Sequence, residues 1–403
     1  MKEQQLRRLL TVATEDIRPT RTAMDAWQRA GRTQRARRAA GAVALAVVLA
    51  IALVTGGTLL ALRHSAGLPP ADPASAAPGP TAPVTPVPDT APVRRMPADL
   101  AYPGDPLGRI GDPATVPLSR RPVRRALALA QPVDPDTGVA GQIRVLGDDG
   151  TVRALDVVTL APTRDADGNE AVPLKTGSLS PDGRFAAFAQ TGAVLVVDLT
   201  TAAVRRLPLA GYLEHVVWSG GRLLVGDDRN TYLLDPGTGT ADQIAVSPWG
   251  LVTPDPAAPG GMLVEVTGVR DRLTLRTRSV PDGTIRTQHP VRSAEPVLPY
   301  QIVEFYGRGW QRGDRVARSG WIANGGADGI EGVAVLDSRT GSVTHLLDLG
   351  RDRWKGCCEV QGWESDGTVL LRTQPGGLIR WRPDTGEVTG VVRKLTGVIS
   401  LAG

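Results

Sequence analysis

The sequence predicts an all-β fold: a β-propeller of about six blades, with seven within its length, preceded by one transmembrane helix and a short helical cytoplasmic tail. Three observations carry this reading. Residues 39–62 contain no charged side chain. From about residue 120 onward the chain is a series of short apolar runs broken by Gly, Asp and Pro, with no sustained helical period. Those runs recur at a spacing of about 40–50 residues, the length of a four-stranded propeller blade.

The tail, residues 1–38, holds Lys2 and nine arginines, among them Arg29, Arg32, Arg35, Arg37 and Arg38 directly before the apolar stretch. Leu6, Leu9, Leu10 and Val12 fall near helical spacing, and Pro19 interrupts the pattern before a second helical piece at 23–30. Residues 1–30 read as an amphipathic helical segment on the inner leaflet or as a docking segment for a cytoplasmic regulatory protein. With neither His nor Cys, the tail has no ligands for a zinc module.

Residues 39–62 would form a helix about 36 Å long at about 1.5 Å per residue, enough to cross a hydrocarbon core of about 30 Å. A helix in a soluble core rarely stays apolar on every face over such a length. Arg63 stands alone beyond the stretch until Arg94, so the excess of basic side chains places the N-terminus in the cytoplasm. A cleaved signal peptide has an apolar region of about 7–15 residues ending in a small-x-small site. This stretch is longer, and His64, Ser65 and Ala66 make a poor site, so an uncleaved anchor in the lipid bilayer is expected.

Residues 63–105 read as a Pro/Ala-rich stalk. Pro69, Pro70, Pro73, Pro78, Pro80, Pro83, Pro86, Pro88, Pro92 and Pro97 alternate with Ala, Thr and Ser. Proline favours polyproline II at about 3.1 Å per residue, so some 30 such residues reach on the order of 90 Å. Residues 106–403 are the expected extracytoplasmic propeller. The chain's formal charge of +5 divides into +6 for residues 1–38 and −1 for the remainder. The large domain is therefore near neutral, unlike a binder of nucleic-acid phosphates, and no nucleic-acid partner is expected. Lysine is scarce: four residues against 42 arginines.

Strand-length apolar runs occur at 185–189, 194–198, 222–225, 232–235, 262–266 and 333–337. A turn at Ser180, Pro181, Asp182 and Gly183 leads to a run ending in Asp198 and then Thr200 and Thr201. Trp218, Ser219, Gly220 and Gly221 lead to Asp235, Thr238 and Gly239. Asp337 precedes Thr340 and Gly341, and Trp363 to Gly367 lead to Trp381, Thr385 and Gly386. The marker threonines at 201, 238, 340 and 385 are separated by 37, 102 and 45 residues; the long gap holds two units, with Asp282 and Gly283 as the missing turn. The Asp-Gly and Thr-Gly pairs supply the positive-φ positions of tight hairpins.

These motifs resemble those of TolB-like and WD-repeat-like propellers, and the order of tail, span, stalk and ectodomain is similar to uncharacterised actinobacterial single-pass membrane proteins associated with extracytoplasmic-function sigma factors. The Gly-His and Trp-Asp dipeptides of WD repeats are missing, so the resemblance does not extend to their scaffold role. It implies a propeller of the kind described. In the best unit an inner strand at 215–218 comes first and an outer one at 242–246 comes last. The C-terminal unit ends its outer strand near 387–393, yet an apolar run follows at 398–401. That run is expected to pair with the N-terminal strands and close the ring.

No catalytic residue, metal site or cofactor is assigned. A hydrolase triad needs His beside Ser or Cys, and only His64, His215, His289 and His345 are present, with no Gly-x-Ser-x-Gly elbow. An EF-hand starting at Asp165 would require Gly at 170 and Glu at 176, where the chain has Glu170 and Thr176. Trp218 and Trp363 hold matching places in the repeat, which points to packing between blades. Trp310, Trp321 and Trp354 lie in less regular, Gly-rich sequence and are the candidates for a ligand face. Cys357 and Cys358 are the only cysteines. Neighbouring Cα atoms lie about 3.8 Å apart, below the usual span of a disulfide of about 4.4–6.8 Å, so a strained vicinal bridge, two free thiols and an intermolecular bond all stay open. The expected role is binding of a protein or cell-envelope ligand, with signalling to a cytoplasmic partner through the tail. The alternative is a propeller enzyme of the lactonase or sugar-dehydrogenase type with a metal or quinone in the central channel.

The topology has a direct test. A Cys at Ser75 should react with a membrane-impermeant maleimide in cells whose envelope admits the probe, and a Cys at Thr11 only after lysis. Labelling of Thr11→Cys in intact cells reverses the orientation.

Overall fold

Strands of four to six residues that are apolar on both faces cannot be buried within one sheet; each face needs a neighbour. The computed structural model describes residues 92–403 except 166–167, 228, 247–250, 256–261, 281, 324–328, 351–358 and 374–375. The expected tail, the expected span, residues 63–91, Trp354, Cys357 and Cys358 lie outside the described residues. Among the described residues no helix is long and apolar enough to cross a membrane.

In chain order the strands are β1 (Val93–Arg95), β2 (Val116–Pro117), β3 (Ala126–Gln131), β4 (Arg144–Gly147), β5 (Val152–Ala154), β6 (Thr163–Arg164), β7 (Glu170–Ala171), β8 (Phe185–Asp198) and β9 (Ala203–Tyr212). Next come β10 (His215–Ser219), β11 (Arg222–Gly226), β12 (Thr231–Leu234), β13 (Ala241–Ile244), β14 (Met262–Thr267), β15 (Thr274–Ser279) and β16 (Ile285–Pro290). Then follow β17 (Arg292–Ser293), β18 (Gln301–Arg312), β19 (Arg315–Ala323), β20 (Ile330–Asp337) and β21 (Ser342–Gly350). The last are β22 (Glu359–Trp363), β23 (Val369–Arg372), β24 (Leu378–Arg382), β25 (Glu387–Val392) and β26 (Val398–Leu401).

The fold is a β-propeller. Five blades are sheets of three or more strands, against about six expected: β26-β3-β4-β5-β2, β10 to β13, β14 to β16, β18 to β21 with β1 and β17 added on β21, and β22 to β25. The β8–β9 sheet stands between the first two. Leu199 donates its N–H to the carbonyl of Arg184 at 2.8 Å, which centres a chain reversal on Thr191 and Gly192 inside β8, and Gly192 has φ +73. On the inner side Leu179 bridges to Ala186.

Six apolar clusters join consecutive sheets. Leu129 and Val145 meet Phe188 and Val197; Ala187 and Val196 meet Val216 and Leu223; Leu224 and Leu233 meet Leu251 and Leu263. Val264 and Leu275 meet Val316 and Leu336; Val333 and Leu347 meet Val369 and Ile379; Leu370 and Leu378 meet Ala130 and Leu146. The last of these returns to the first blade, so the set closes on itself.

The repeat seen in sequence has a local cause. Asp198, Asp235 and Asp337 each end a hairpin strand or follow it, and each carboxylate accepts the N–H two residues on, at 2.9, 2.7 and 2.8 Å. Gly341 follows with φ +75, and a Cβ there would press into the carbonyl of Pro290. The Asp165 loop is a polar turn between β6 and β7, its carboxylate accepting the N–H of Asn169 at 2.7 Å.

Ring closure follows the sequence expectation. β26 pairs antiparallel with β3, Val398 opposite Gln131 and Leu401 opposite Ala128. Gly397, at φ +85, makes the turn into β26, and a Cβ there would collide with the carbonyl of Gln131. Ser400 links the closing strand to the next sector: its Oγ accepts the N–H of Leu179 and donates to the carbonyl of Thr176, both at 2.8 Å. Residues 92–117 add a strap. β1 lies parallel on β21, Gly390 donates to the carbonyl of Ala101, and β2 lies parallel on β5. β1 falls within the segment read from sequence as stalk.

Deleting residues 397–403 from the full chain should lower its melting temperature by on the order of 10 °C and promote aggregation. Ser400→Ala should cost about 1–3 kcal/mol by leaving the buried Leu179 N–H without an acceptor. A deleted chain that melts within about 2 °C of the parent rules out closure through β26.

Candidate functional site

The inner strands meet around one channel. They are β26, residues 177–180, β10, residues 251–253, β18 and β22, and contacts between neighbours run round the ring in that order. Gly177 bridges Val217 in parallel, and Thr253 bridges Trp310 in parallel with N–H···O bonds of 2.8 Å to Gly309 and from Gln311. β18 packs on β22, and β22 on β26. Parallel neighbours gather the starts of the inner strands at one end of the channel and their C-terminal ends at the other.

The C-terminal end is aromatic and closed. Trp218 donates Nε1–H to the carbonyl of Ser178 at 3.0 Å, and Trp363 donates to that of Trp310 at 2.8 Å. Both tryptophans are 6% exposed. The residues with matching places in the repeat thus do the same work, each bonding the backbone of the preceding inner strand. Leu179, Thr253, Trp310 and Leu401 line a cavity of about 20 Å³ here, room for about one water. The Thr253 hydroxyl and Trp310 Nε1 are buried with no hydrogen-bond partner in the described residues.

The other end is charged. Lys175 precedes the inner segment at 177–180, Glu214 directly precedes β10 and His215 begins it, Glu359 begins β22, and Arg372 stands opposite Glu359 on β23. Arg308 comes from β18, where the pairing with β19 slips between Tyr306 and Trp310. Arg318, 4% exposed, secures that bulge by donating to the carbonyls of Gly307 at 3.1 Å and Val266 at 3.2 Å. Lys175, His215, Arg308, Glu359 and Arg372 are all half-buried.

Their electrostatics follow from that enclosure. Burial lowers Lys175 to about 8, helped by Arg308 and opposed by Glu214; its Nζ bonds the Thr163 hydroxyl at 2.9 Å. Burial lowers His215 to about 3, with Arg308 and Lys175 adding to the effect and Asp227 opposing it. Arg308 falls to about 10 through burial, against the pull of Glu359. Burial raises Glu359, against Arg372, Gln361 and Arg308.

The Trp candidates do not converge. Trp310 pairs with Ala317 on the β18–β19 hairpin, whereas Trp321 pairs with Glu304 at its other end, about 13 Å further along the strand. Trp354 lies outside the described residues. Trp321, 36% exposed, lines a groove of about 710 Å³ with Leu298, Ile302, Arg270, Asp271 and Arg292. Its ring lies against Gly329, where a Cβ would collide with it. Among the described residues, His215, His289 and His345 stand on three different sheets, and no three His, Cys, Asp or Glu side chains come together to hold a metal ion.

The charged mouth was missed by sequence reasoning, because its members lie 133 residues apart in sequence between Lys175 and Arg308 and further to Glu359. One signal was present: Lys175 is the single lysine between residues 3 and 354 of an arginine-rich chain.

No family model and no curated protein sequence matches the chain. Among solved structures it is similar to TolB from Acinetobacter baumannii, with 15% identity over 68% of this chain and 66% of that one and a TM-score of 0.42. It is similar to a Kuenenia stuttgartiensis hydrazine synthase chain at 12% identity, covering 53% of this chain and 64% of that one, TM-score 0.35. The N-terminal domain of Nup159 matches at 10% identity over 73% of this chain and 84% of that one, TM-score 0.35. Likeness at this level is one of fold and carries nothing about ligand or activity.

The depressed basicity of His215 has a measurable consequence. The unfolded chain takes up a proton at this His near pH 6.5, the native chain only near pH 3. Between these values the unfolded state binds more protons, so stability falls as pH is lowered through that window. His215→Gln should remove up to about 2 kcal/mol of the loss between pH 6.5 and 5, read as a smaller drop in melting temperature. An unchanged drop in the variant shows that His215 takes its proton normally in the native state.

Proposed function

We propose that this chain is a non-enzymatic, membrane-anchored β-propeller that binds a protein or cell-envelope ligand outside the membrane. Residues 39–62 serve as the anchor, and residues 1–38 face the cytoplasm, where a regulatory partner docks. In this reading the β8–β9 sheet counts as a sixth blade, since an apolar cluster joins it to each neighbour.

The observation that carries the binding role is the groove at Trp321. An aromatic side chain more than one-third exposed stands beside Leu298, 53% exposed, and both are flanked by Arg270, Asp271 and Arg292. An exposed aromatic and aliphatic surface rimmed by charged groups is the composition of a recognition site. The enzyme alternative calls for acidic or His ligands converging on the axis. The channel mouth instead mixes Lys175, Arg308 and Arg372 with Glu214, His215 and Glu359.

A photo-crosslinking amino acid at Leu298, introduced into the full-length protein in living cells, should yield a discrete adduct that the same group at Tyr212 on β9 does not. Trp321→Ala should reduce that adduct at least several-fold, since a buried Trp anchor contributes about 2 kcal/mol or more to binding. No adduct at Leu298, or one insensitive to Trp321→Ala, overturns the assignment of this groove.

A further inference from the structure

The groove at Trp321 is walled in large part by main chain. Val291, Arg292 and Ser293 line it as one run, and Gln301, Ile302 and Val303 as another. Side chains alternate between the two faces of a strand, so consecutive residues share a cavity by turning their backbone edge to it. β18 is the last strand of its sheet, with β19 as its strand partner. That pairing lapses at the groove, where the register steps from Ile302 to Glu304 and leaves Val303 unpaired. At β17 the N–H groups of Arg292 and Ala294 go to the carbonyls of Gly341 and Val343, on the side of β21. The N–H of Ser293 therefore points away from β21, and no acceptor meets it among the described residues. Further along β18, Thr253 already lies parallel on the open edge, bonding Gly309 and Gln311. This edge thus takes up an extended segment from outside its own sheet.

The side chains around the opening define what kind of chain fits. Trp321 and Leu298 offer an exposed apolar seat. Arg270 and Arg292 line the same groove, and among the described residues neither guanidinium makes a hydrogen bond or ion pair. Asp271 answers one of them, and these three are the charged residues lining the groove among the described residues. Arg272, Glu295 and Glu304 stand on adjoining segments without lining it, and Asp328 lies outside the described residues. The described lining therefore leaves one guanidinium fork unmatched, and its geometric complement is a carboxylate. Arg270 is also held at φ +53, a left-handed backbone that residues bearing a Cβ rarely adopt. The turn is fixed by the N–H of Leu273 on the Arg270 carbonyl at 3.2 Å. Backbone strain of this kind collects at ligand clamps.

We propose that the groove takes an extended peptide segment of a partner protein, with an apolar side chain seated on Trp321 and Leu298 and a carboxylate within two residues of it on Arg270 or Arg292. The main chain of the segment bonds the open edge at 301–303. This inference rests on the groove being the recognition site, and it narrows the ligand from any envelope component to a protein. A glycan or a lipid lacks the alternating N–H and C=O groups that complete a strand edge.

The probe is a phage-displayed library of random decapeptides, selected on the full-length protein in detergent and counter-selected on Trp321→Ala. Enriched sequences should carry an aromatic or aliphatic residue within two positions of Asp or Glu. For a synthetic peptide of that sequence, Arg270→Gln or Arg292→Gln should weaken binding about tenfold, and so should exchange of the peptide's acidic residue for its amide. Combining the two changes should cost hardly more than either alone, because both remove the same contact. N-methylation of at least one amide beside the apolar residue should also weaken binding about tenfold, whereas Glu295→Gln leaves it unchanged. If Trp321→Ala does not melt cooperatively, Leu298→Ser replaces it. No sequence dependent on Trp321, no preference for a carboxylate, or a peptide that tolerates every N-methyl group overturns the proposal. A Leu298 crosslink in cells that joins a glycan or lipid also overturns it while the groove stays a recognition site; the absence of any such crosslink removes the groove itself.

Discussion

The antiparallel pairing of Val398–Leu401 with Ala126–Gln131 is the contact on which the propeller depends. Every other sheet finds its neighbours through the order of the chain, because consecutive units lie side by side. Only the first and last units must be joined by segments almost 270 residues apart in sequence. By lending its last strand to the first blade, the chain turns an open row of sheets with two exposed ends into a ring. Ser400 then ties that strand to the following sector through Leu179 and Thr176. The N-terminal strap, with β1 on β21 and β2 on β5, spans the same seam from outside.

Closure also creates the channel, and the channel has two unlike ends. Where inner strands finish, Trp218 and Trp363 each satisfy their indole N–H on a neighbouring backbone carbonyl, and the ring is sealed by packing. Where they begin, the backbone of each strand has just entered from a loop, and half-buried charged side chains gather. Burial is the first cause of every large shift there, whether downward for Lys175, His215 and Arg308 or upward for Glu359. The bulge in β18 adds a specific asymmetry, held by Arg318 through the carbonyls of Gly307 and Val266.

Much of the fold was legible because it is built from local rules. Asp198, Asp235 and Asp337 are read as turn residues from sequence and act as turn residues in the structure, capping N–H groups two positions on. The matching places of Trp218 and Trp363 announced a shared packing role, and each fills it in the same way. The extra apolar run at 398–401 had no partner within its own unit, so its pairing with the chain's beginning was inferred from counting strands. The second sector was legible in the same way: the runs at 185–189 and 194–198 read as two strands, and the reversal at Thr191 and Gly192 falls between them.

The sequence by itself determined the all-β architecture, the approximate repeat, the hairpin turns and the manner of closure, because each depends on residues within one unit or on the arithmetic of units. It also marked Trp321 as a residue outside the regular packing, and the structure leaves that side chain exposed in a groove. Only the tertiary structure separated Trp321 from Trp310, setting one in the groove and the other at the closed end of the channel, since the same hairpin carries both. It alone assembled Lys175, His215, Arg308 and Glu359. These residues have no common motif and no common spacing; what they share is a level in a ring, and a level exists only after the inner segments have been brought around one axis.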